Sequence, residues 1–481
     1  MFQRGISKMQ IIGRKKEIDF LGSCLNSARP EFLAVYGRRR VGKTYLIREY
    51  FHDSFSFYAT GIPNVKTREQ LKIFRDCLHR YGDPHKNIPS DWLEAFGRLR
   101  SVLEAENVNR DPVSGRRVVF LDELPWMDTA KSDFKSALDY FWNSWGCMQQ
   151  DLLLIICGSA TSWIIDNVIC DTGGLYNRIT RQMYLPPFSL KECEELLQSN
   201  GMVMTRRQII DCYMIFGGVP YYLNLLDRRL SLPQNVDMLL FNENGSLYAE
   251  FDRLFASLFK HSGKHIEIIH EIIRRKSGTT RIELSQNPRI GDGQPLTKAL
   301  KELEQCGFIR KYKNPVKEKQ GYFYQIVDPF TLFSLEHTEK RRTDSWSANI
   351  GTPRYYAWSG NAFETVCLNH ISQIKAALGI SGVSTSEYSW KSRESSPGAQ
   401  IDLLIDRRDG VINLCEMKYS ASAFEINADY AKNLINKVDC FRHEVSTDSA
   451  VHITIISAEG IAQNRYAGMV QQVITAEDLF R

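Results

Sequence analysis

Residues Gly37-Arg38-Arg39-Arg40-Val41-Gly42-Lys43-Thr44 match the spacing G-x-x-x-x-G-K-[ST]. An apolar run (FLAVY) precedes them and a helix-forming stretch (YLIREYF, opening on Tyr45) follows, the context such a motif needs. The glycines let backbone N–H groups turn inward as a nest for phosphate oxygens, and the helix N-terminus adds partial positive charge. Lys43 would then reach the β- and γ-phosphates, and the Thr44 hydroxyl would hold Mg²⁺. A carboxylate is needed on a neighbouring strand, and the run Val118-Val119-Phe120-Leu121 ends in Asp122-Glu123. Asp122 would hold the same ion and Glu123 would orient or deprotonate an attacking water. The plain alternative is that the two acids only cap the next helix. Ser159, ending the apolar run 152–158, would either sense the γ-phosphate or serve as an ordinary N-cap. Arg178 is a candidate arginine finger, with Arg181 competing and a solvated surface arginine as the alternative. A finger supplied by a second copy of the chain would require a homo-oligomer.

A second constellation lies near the far end. Asp402 falls within the apolar run 399–405, and Glu416 and Lys418 follow in Leu414-Cys415-Glu416-Met417-Lys418. Period-two alternation puts Glu416 and Lys418 on one face of a strand, and a hairpin partner can bring Asp402 beside Glu416. Two carboxylates so close repel unless a divalent cation lies between them. Mg²⁺ there would activate water while Lys418 positioned or deprotonated the nucleophile. The competing explanation is an E-x-K salt-bridge pattern on an exposed strand. The arrangement is similar to the PD-(D/E)xK nucleases, a resemblance that implies a third acid from the preceding helix, at Glu364. Gln400 stands where many relatives carry a further acid, which leaves cleavage and mere binding both open.

The chain of 481 residues is too long for one core. Its 43% apolar and 24% charged residues are those of an ordinary globular protein, and a net charge of +5 neither requires nor excludes nucleic acid. Eleven scattered cysteines without a C-x-x-C pair read as small buried hydrophobes in a reducing compartment. Ten histidines form no zinc-spaced cluster. No apolar run nears the ~20 residues of a membrane span, so a cytoplasmic location is expected.

Short apolar runs at 32–36, 118–121 and 152–157, separated by helix-length segments, predict a parallel sheet covered on both faces. Residues 190–230 read as helical, interrupted at Gly217-Gly218-Val219-Pro220. Helices are expected over 265–275, over 281–286 and after Pro295, with strands at 308–312 and 322–327, the outline of a winged helix-turn-helix. Between Gln294 and Gln320, seven basic residues face three acids, and Thr297, Lys298, Lys301 and the loop 313–320 could meet DNA. The same module could instead only pack on its neighbours. A linker, a helix over 360–374 and strands at 401–405, 412–418 and 451–456 complete the chain.

The segments IIGRKKEIDFL, VYGRRRVGKT, FLDELPW, CGSATSWI and GGVPYYL resemble the archaeal-type ATPases of the STAND/AAA-related P-loop group. That resemblance implies ATP as the nucleotide, places Ile12, Gly13 and Arg14 near the adenine, and implies a winged helix and a C-terminal restriction-endonuclease-like domain. The expected fold is α/β: a P-loop ATPase core over 1–187, a helical lid over 188–262 and a winged helix-turn-helix over 263–335. A linker over 336–355 and a small nuclease-like α/β domain over 356–481 follow. The function expected is ATP hydrolysis coupled to a Mg²⁺-dependent nuclease. The rival is a regulatory switch whose tail only binds DNA or a protein partner.

Overall fold

Side chains along each apolar run alternate between two cores. In the computed structural model, which describes residues 11–169, 178–259, 262–275, 278–313, 321–338, 345–392 and 397–481, Phe32, Ala34, Val119, Leu121, Leu154 and Ile156 enter one core. Leu33, Val35, Val118, Phe120, Leu153 and Ile155 enter the other. A strand apolar on both sides must be covered on both sides, which is why these runs show no polar alternation. The strands are β1 (Glu31–Tyr36), β2 (Phe57–Thr60), β3 (Arg117–Asp122), β4 (Leu152–Gly158) and β5 (Arg181–Tyr184). They form one parallel sheet in the order β2-β3-β4-β1-β5. Helices Lys15–Leu25 and Lys43–Tyr50 cover one face; Thr67–Arg80, Trp92–Glu104 and Phe134–Ser144 cover the other.

Two features differ from the sequence reading. β2 and β5 are additional strands, each four residues long and at an edge of the sheet, and β5 (RQMY) is half polar. Asp122 is not on the strand next to the P-loop strand, because β4 intervenes between β1 and β3. Strand order is set by long-range packing, to which local pattern is blind.

The chain divides into two compact units, Met1–Pro186 and Pro187–Arg481. The second opens with helices Leu190–Ser199 and Arg206–Phe216, each started by a capping box (Ser189/Glu192 and Thr205/Gln208). The latter ends at Gly217 in the left-handed region, φ 67°. Helices Ser262–Arg274, Arg281–Ser285 and Gln294–Gln305 follow, with strands β6 (Thr279–Thr280), β7 (Ile309–Lys313) and β8 (Tyr322–Ile326) paired antiparallel in the order β6-β8-β7.

The last sheet contains β9 (Thr385–Lys391), β10 (Gln400–Arg407), β11 (Val411–Lys418), β12 (Ala450–Ser457) and β13 (Gln472–Ile474), in the order β13-β12-β11-β10-β9. β9, β10 and β11 run antiparallel, and β11, β12 and β13 parallel. The helix Ala428–Val445 covers the face that presents Ile412 and Leu414, through Cys440 and Phe441. The helix expected over 360–374 instead begins at Pro353, N-capped by Thr352, and stops at Asn369 before a separate turn Ile371–Ala377. His370 sits at the break, where its Nε2 accepts the Leu190 N–H (2.9 Å) and Nδ1 lies 2.7 Å from the Val366 carbonyl. Burial lowers its pKa to about 4, so the ring is neutral, with Nδ1 donating. The segment read as a linker is anchored where it is described. Trp346 is buried against Phe333 and Trp358, and Ser347 Oγ donates to Asp237 (2.6 Å). Residues 339–344 lie outside the described set.

Ten cysteines are free among the described residues, all but Cys147 buried. No helix among the described residues is long and apolar enough to cross a membrane.

Two glycines test the packing. A Cβ on Gly61, just after β2, would stand 2.5 Å from the Glu123 carbonyl oxygen and 3.0 Å from Trp126 Cβ, whereas on Gly97, inside a helix, it meets nothing within 4 Å. Gly97→Ala is expected to stabilise by about 0.5–1 kcal/mol. Gly61→Ala is expected to destabilise by about 1–3 kcal/mol. Denaturant melts of the two variants check both signs.

Candidate functional site

The turn after β1 is shaped by its glycines. Gly37 has φ 146°, and a Cβ there would lie 2.3 Å from the Leu185 carbonyl oxygen, so no side chain fits. Gly42, at φ 91°, is the N-cap of the helix Lys43–Tyr50. Val41 anchors the turn in the core beside Leu46 and Leu185. Arg38 is buried, Arg40 partly buried and Arg39 exposed. The Lys43 ammonium donates to the carbonyls of Gly37 and Arg38, each at 2.8 Å, and so lies folded into the loop. Tyr45 is 47% exposed on the outer side of that helix.

Thr44 Oγ1 donates to Asp122 Oδ2 at 2.9 Å, while Asp122 Oδ1 accepts the Glu123 N–H, also at 2.9 Å. Burial pushes the Asp122 carboxyl above its ordinary range, against the opposing pull of the Thr44 hydroxyl. Glu123 has a left-handed backbone, φ 47°, and caps the short helix Leu124–Met127. Its side chain does not cap. Instead Oε2 accepts from the Ser159 hydroxyl (2.9 Å) and Ser159 N–H (3.2 Å) at the end of β4. A left-handed non-glycine residue is strained and is retained where its side chain needs a particular direction. The structure therefore gathers Lys43, Thr44, Asp122, Glu123 and Ser159 at the carboxyl ends of β1, β3 and β4.

Arg14, with Ile12 and Gly13 preceding it, is buried at φ 55°. Its Nη2 donates to the Val41 carbonyl (3.1 Å) and the Pro186 carbonyl (2.7 Å), bracing the loop from behind. That backbone role gave no signal in the sequence. Arg181 is engaged with Glu31, Nε to Oε1 3.4 Å. Arg178 is exposed and adjoins residues 170–177, which lie outside the described set.

In the second unit, the hairpin register Leu403↔Cys415 carries one step on to Asp402 opposite Glu416. Asp402 Oδ2 accepts the Met417 N–H at 3.3 Å. Burial, then the neighbouring Glu416 charge, raise the Asp402 carboxyl to about 6. Glu416 has no exposed surface. Its Oε1 takes a hydrogen bond from Lys437 Nζ (2.6 Å); Oε2 takes one from Tyr430 OH (3.0 Å), with Lys418 Nζ at 3.4 Å. A carboxylate removed from water needs such partners. Tyr430 and Lys437 lie two turns apart on the helix Ala428–Val445, so one helix face supplies both. Sequence reasoning missed them; the spacing of seven on a helix face was the available signal.

Glu364 is the third acid expected at this site. Among the described residues no three His, Cys, Asp or Glu side chains gather as a metal-holding group. Glu364 lines a crevice with Gln325, Glu336 and Asn361. Its helix begins at Pro353, seven residues before the expected start.

The helix Arg206–Phe216 reaches this sheet directly. Asp211 Oδ1 accepts from Tyr419 OH (2.8 Å) and Tyr355 OH (3.3 Å), and the Arg207 guanidinium lies 4.6 Å from the Tyr419 ring centre. Tyr419 is the residue after Lys418.

Residues 11–226 match the family model described as an ATPase domain predominantly from Archaea. An uncharacterized protein of Methanocaldococcus jannaschii is 23% identical over 330 residues, 68% of this chain and 68% of its own length. Among solved structures, the Walker-type ATPase of Pyrococcus abyssi is similar at 18% identity and TM-score 0.49, over 68% of this chain and 96% of that one. The Aeropyrum pernix ORC2 protein, solved as ADPNP–ADP complexes, is similar at 13% identity and TM-score 0.41, over 67% of this chain and 91% of its own. The protein is an ATPase, with the match to that family model confined to residues 11–226.

The raised Asp402 carboxyl gives a stability test. Its ordinary pKa is ~3.9, so the native state favours the protonated form. The contribution is fully present below that value and is lost as pH rises through about 6. Asp402→Asn is therefore expected to melt higher than the parent at pH 7.5, with the difference shrinking toward pH 4. Thermal melts across that range decide it; a variant less stable at pH 7.5 would contradict the strained pair.

Proposed function

We propose that this ATPase is an ATP-gated enzyme acting on nucleic acid, DNA in the first instance, through a second, phosphodiester-cleaving site in its C-terminal sheet. The observation carrying this reading is Glu416, a carboxylate without exposed surface opposite Asp402 on the adjacent strand. Such a pair weakens the sheet that holds it, and sequences retain costly charge of this kind at working sites.

Oxygen donors suit Mg²⁺, and the Thr44–Asp122 and Asp402–Glu416 pairs are the residues that would hold it. When bound, the ion neutralises phosphate charge and activates water. At the first site the Lys43 ammonium moves from the Gly37 and Arg38 carbonyls to the β- and γ-phosphate oxygens. Ile12, Gly13 and Arg14 border the nucleotide, with Arg14 acting through the Val41 carbonyl. Glu123, released by Ser159, accepts a proton from the attacking water. Arg178 supplies a further positive charge from a second copy of the chain. At the second site Lys418 holds the nucleophile beside Asp402. Residues 263–335 act as a winged helix. Lys311 and Lys313, whose ammoniums lie 3.9 and 5.5 Å from the centre of the Tyr322 ring, face phosphates on its hairpin. Lys317 and Lys319 of the loop lie outside the described residues.

Control passes through the helix Arg206–Phe216. It falls within the ATPase family match and is bonded through Asp211 and Arg207 to Tyr419, beside Lys418. The second reading, a regulatory switch with a tail that only binds, is favoured by the cluster of Lys418, Lys437 and Tyr430 around Glu416.

The experiment is incubation of plasmid and linear DNA with the protein and Mg²⁺ or Mn²⁺, with and without ATP. Lys43→Ala is expected to abolish ATP-dependent change. Glu123→Gln should keep ATP binding while lowering hydrolysis by about 10²–10⁴-fold. Lys418→Ala should lose cutting with ATPase intact, and Asp211→Ala should uncouple cutting from ATP. No cutting by the parent protein under any condition, with hydrolysis normal, would replace the nuclease by the switch.

A further inference from the structure

The Glu416 carboxylate is already satisfied at both oxygens. Lys437 Nζ lies 2.6 Å from Oε1, and Oε2 receives Tyr430 OH at 3.0 Å with Lys418 Nζ at 3.4 Å. Both lysines also lie close enough to Asp402 to favour its charged form. Two acids and two ammoniums thus make a neutral cluster in a buried setting. Adding a divalent cation would leave two uncompensated positive charges in that setting, which is costly. One ammonium must therefore leave, or an anion must arrive with the metal.

The two lysines differ in what holds them. Lys418 is carried by β11 itself and also sits over the Tyr430 ring, 5.2 Å from its centre. Lys437 reaches in from the helix Ala428–Val445, and its ion pair is to Glu416, made at the oxygen that Tyr430 does not bind. Its flexible four-carbon stem lets the ammonium swing without moving the helix.

We propose that Lys437 occupies the cation position on Glu416 Oε1 in the metal-free protein and is displaced onto a nucleic-acid phosphate when a divalent cation binds. This rests on the metal-dependent reading of the second site. Lys437 is then a positioning residue that makes metal and phosphate arrive together: the metal frees the ammonium, and the phosphate gives it a new partner. The cluster stays near neutral throughout.

The test uses the full chain carrying Thr44→Ala, without nucleotide, so that Mn²⁺ at the first site is removed. Free Mn²⁺ is read by electron paramagnetic resonance. A site whose ligand is covered about nine-tenths of the time binds about ten-fold more weakly than its bare form. Lys437→Gln is therefore expected to bind Mn²⁺ about ten-fold tighter, and Lys437→Arg to bind as the parent does. With Mn²⁺ present, Lys437→Gln should bind DNA more weakly, with a salt slope shallower by about 0.9. A merely structural ion pair would give neither the tighter metal nor the changed slope. Unchanged or weaker Mn²⁺ binding in Lys437→Gln, with binding lost in Asp402→Asn, would overturn the displacement and leave the metal site standing. Mn²⁺ binding indifferent to Asp402→Asn would remove the metal site, and the displacement with it. If Lys437→Gln does not fold, acetic anhydride labelling of the parent protein replaces it. Lys437 labelling should rise several-fold with Mn²⁺, and equal labelling with and without the ion would overturn the proposal.

Discussion

The hydrogen bond from Thr44 to Asp122, 2.9 Å long, sets a demand that the first unit is built to meet. Asp122 ends β3 and Thr44 opens the helix that follows β1, and these strands do not touch because β4 lies between them. Holding the two residues within one hydrogen bond requires the three strands to end level. Parallel pairing over Val118↔Leu153 and Leu33↔Ile155 fixes that level, and apolar packing on both faces keeps the strands from sliding. Ser159 ends the intervening strand and reaches Glu123, so the strand that separates the two motifs also fills the gap between them.

In the second unit the constraint is buried charge. Glu416 lies on the same strand face as the core residues Ile412 and Leu414, so the helix that covers that face must also bring donors for a carboxylate. Tyr430 and Lys437 do this from the first turn and the middle of the helix, while Cys440 and Phe441 close the apolar core further along. The same unit joins the helix Arg206–Phe216 to Tyr419 by hydrogen bonds to Asp211. The last part of the ATPase family match and the strand bearing Glu416 and Lys418 are thus one packed body.

Glycine and proline carried much of what was legible. Gly37 and Gly42 announced a turn whose backbone no other residue adopts comfortably, and the structure leaves no room for a Cβ at Gly37. Gly217 announced the end of a helix. Pro353, by contrast, falls inside the stretch 336–355 that reads as a linker, yet it is the first residue of a helix capped by Thr352. The polar stretch before it hid Trp346, whose burial depends on Phe333 and Trp358.

By itself the sequence determined the short-range matters: the phosphate-binding turn, the apolar runs, the helix caps and the residue pairs at period two, since each follows from the chain's own geometry over a few residues. Only tertiary structure decided which strand separates β1 from β3, and that Arg14 braces Val41. Only it brought Lys437 and Tyr430 to Glu416. Those outcomes depend on which distant surfaces pack together, and the cost of burying a charge is felt only after its surroundings are assembled.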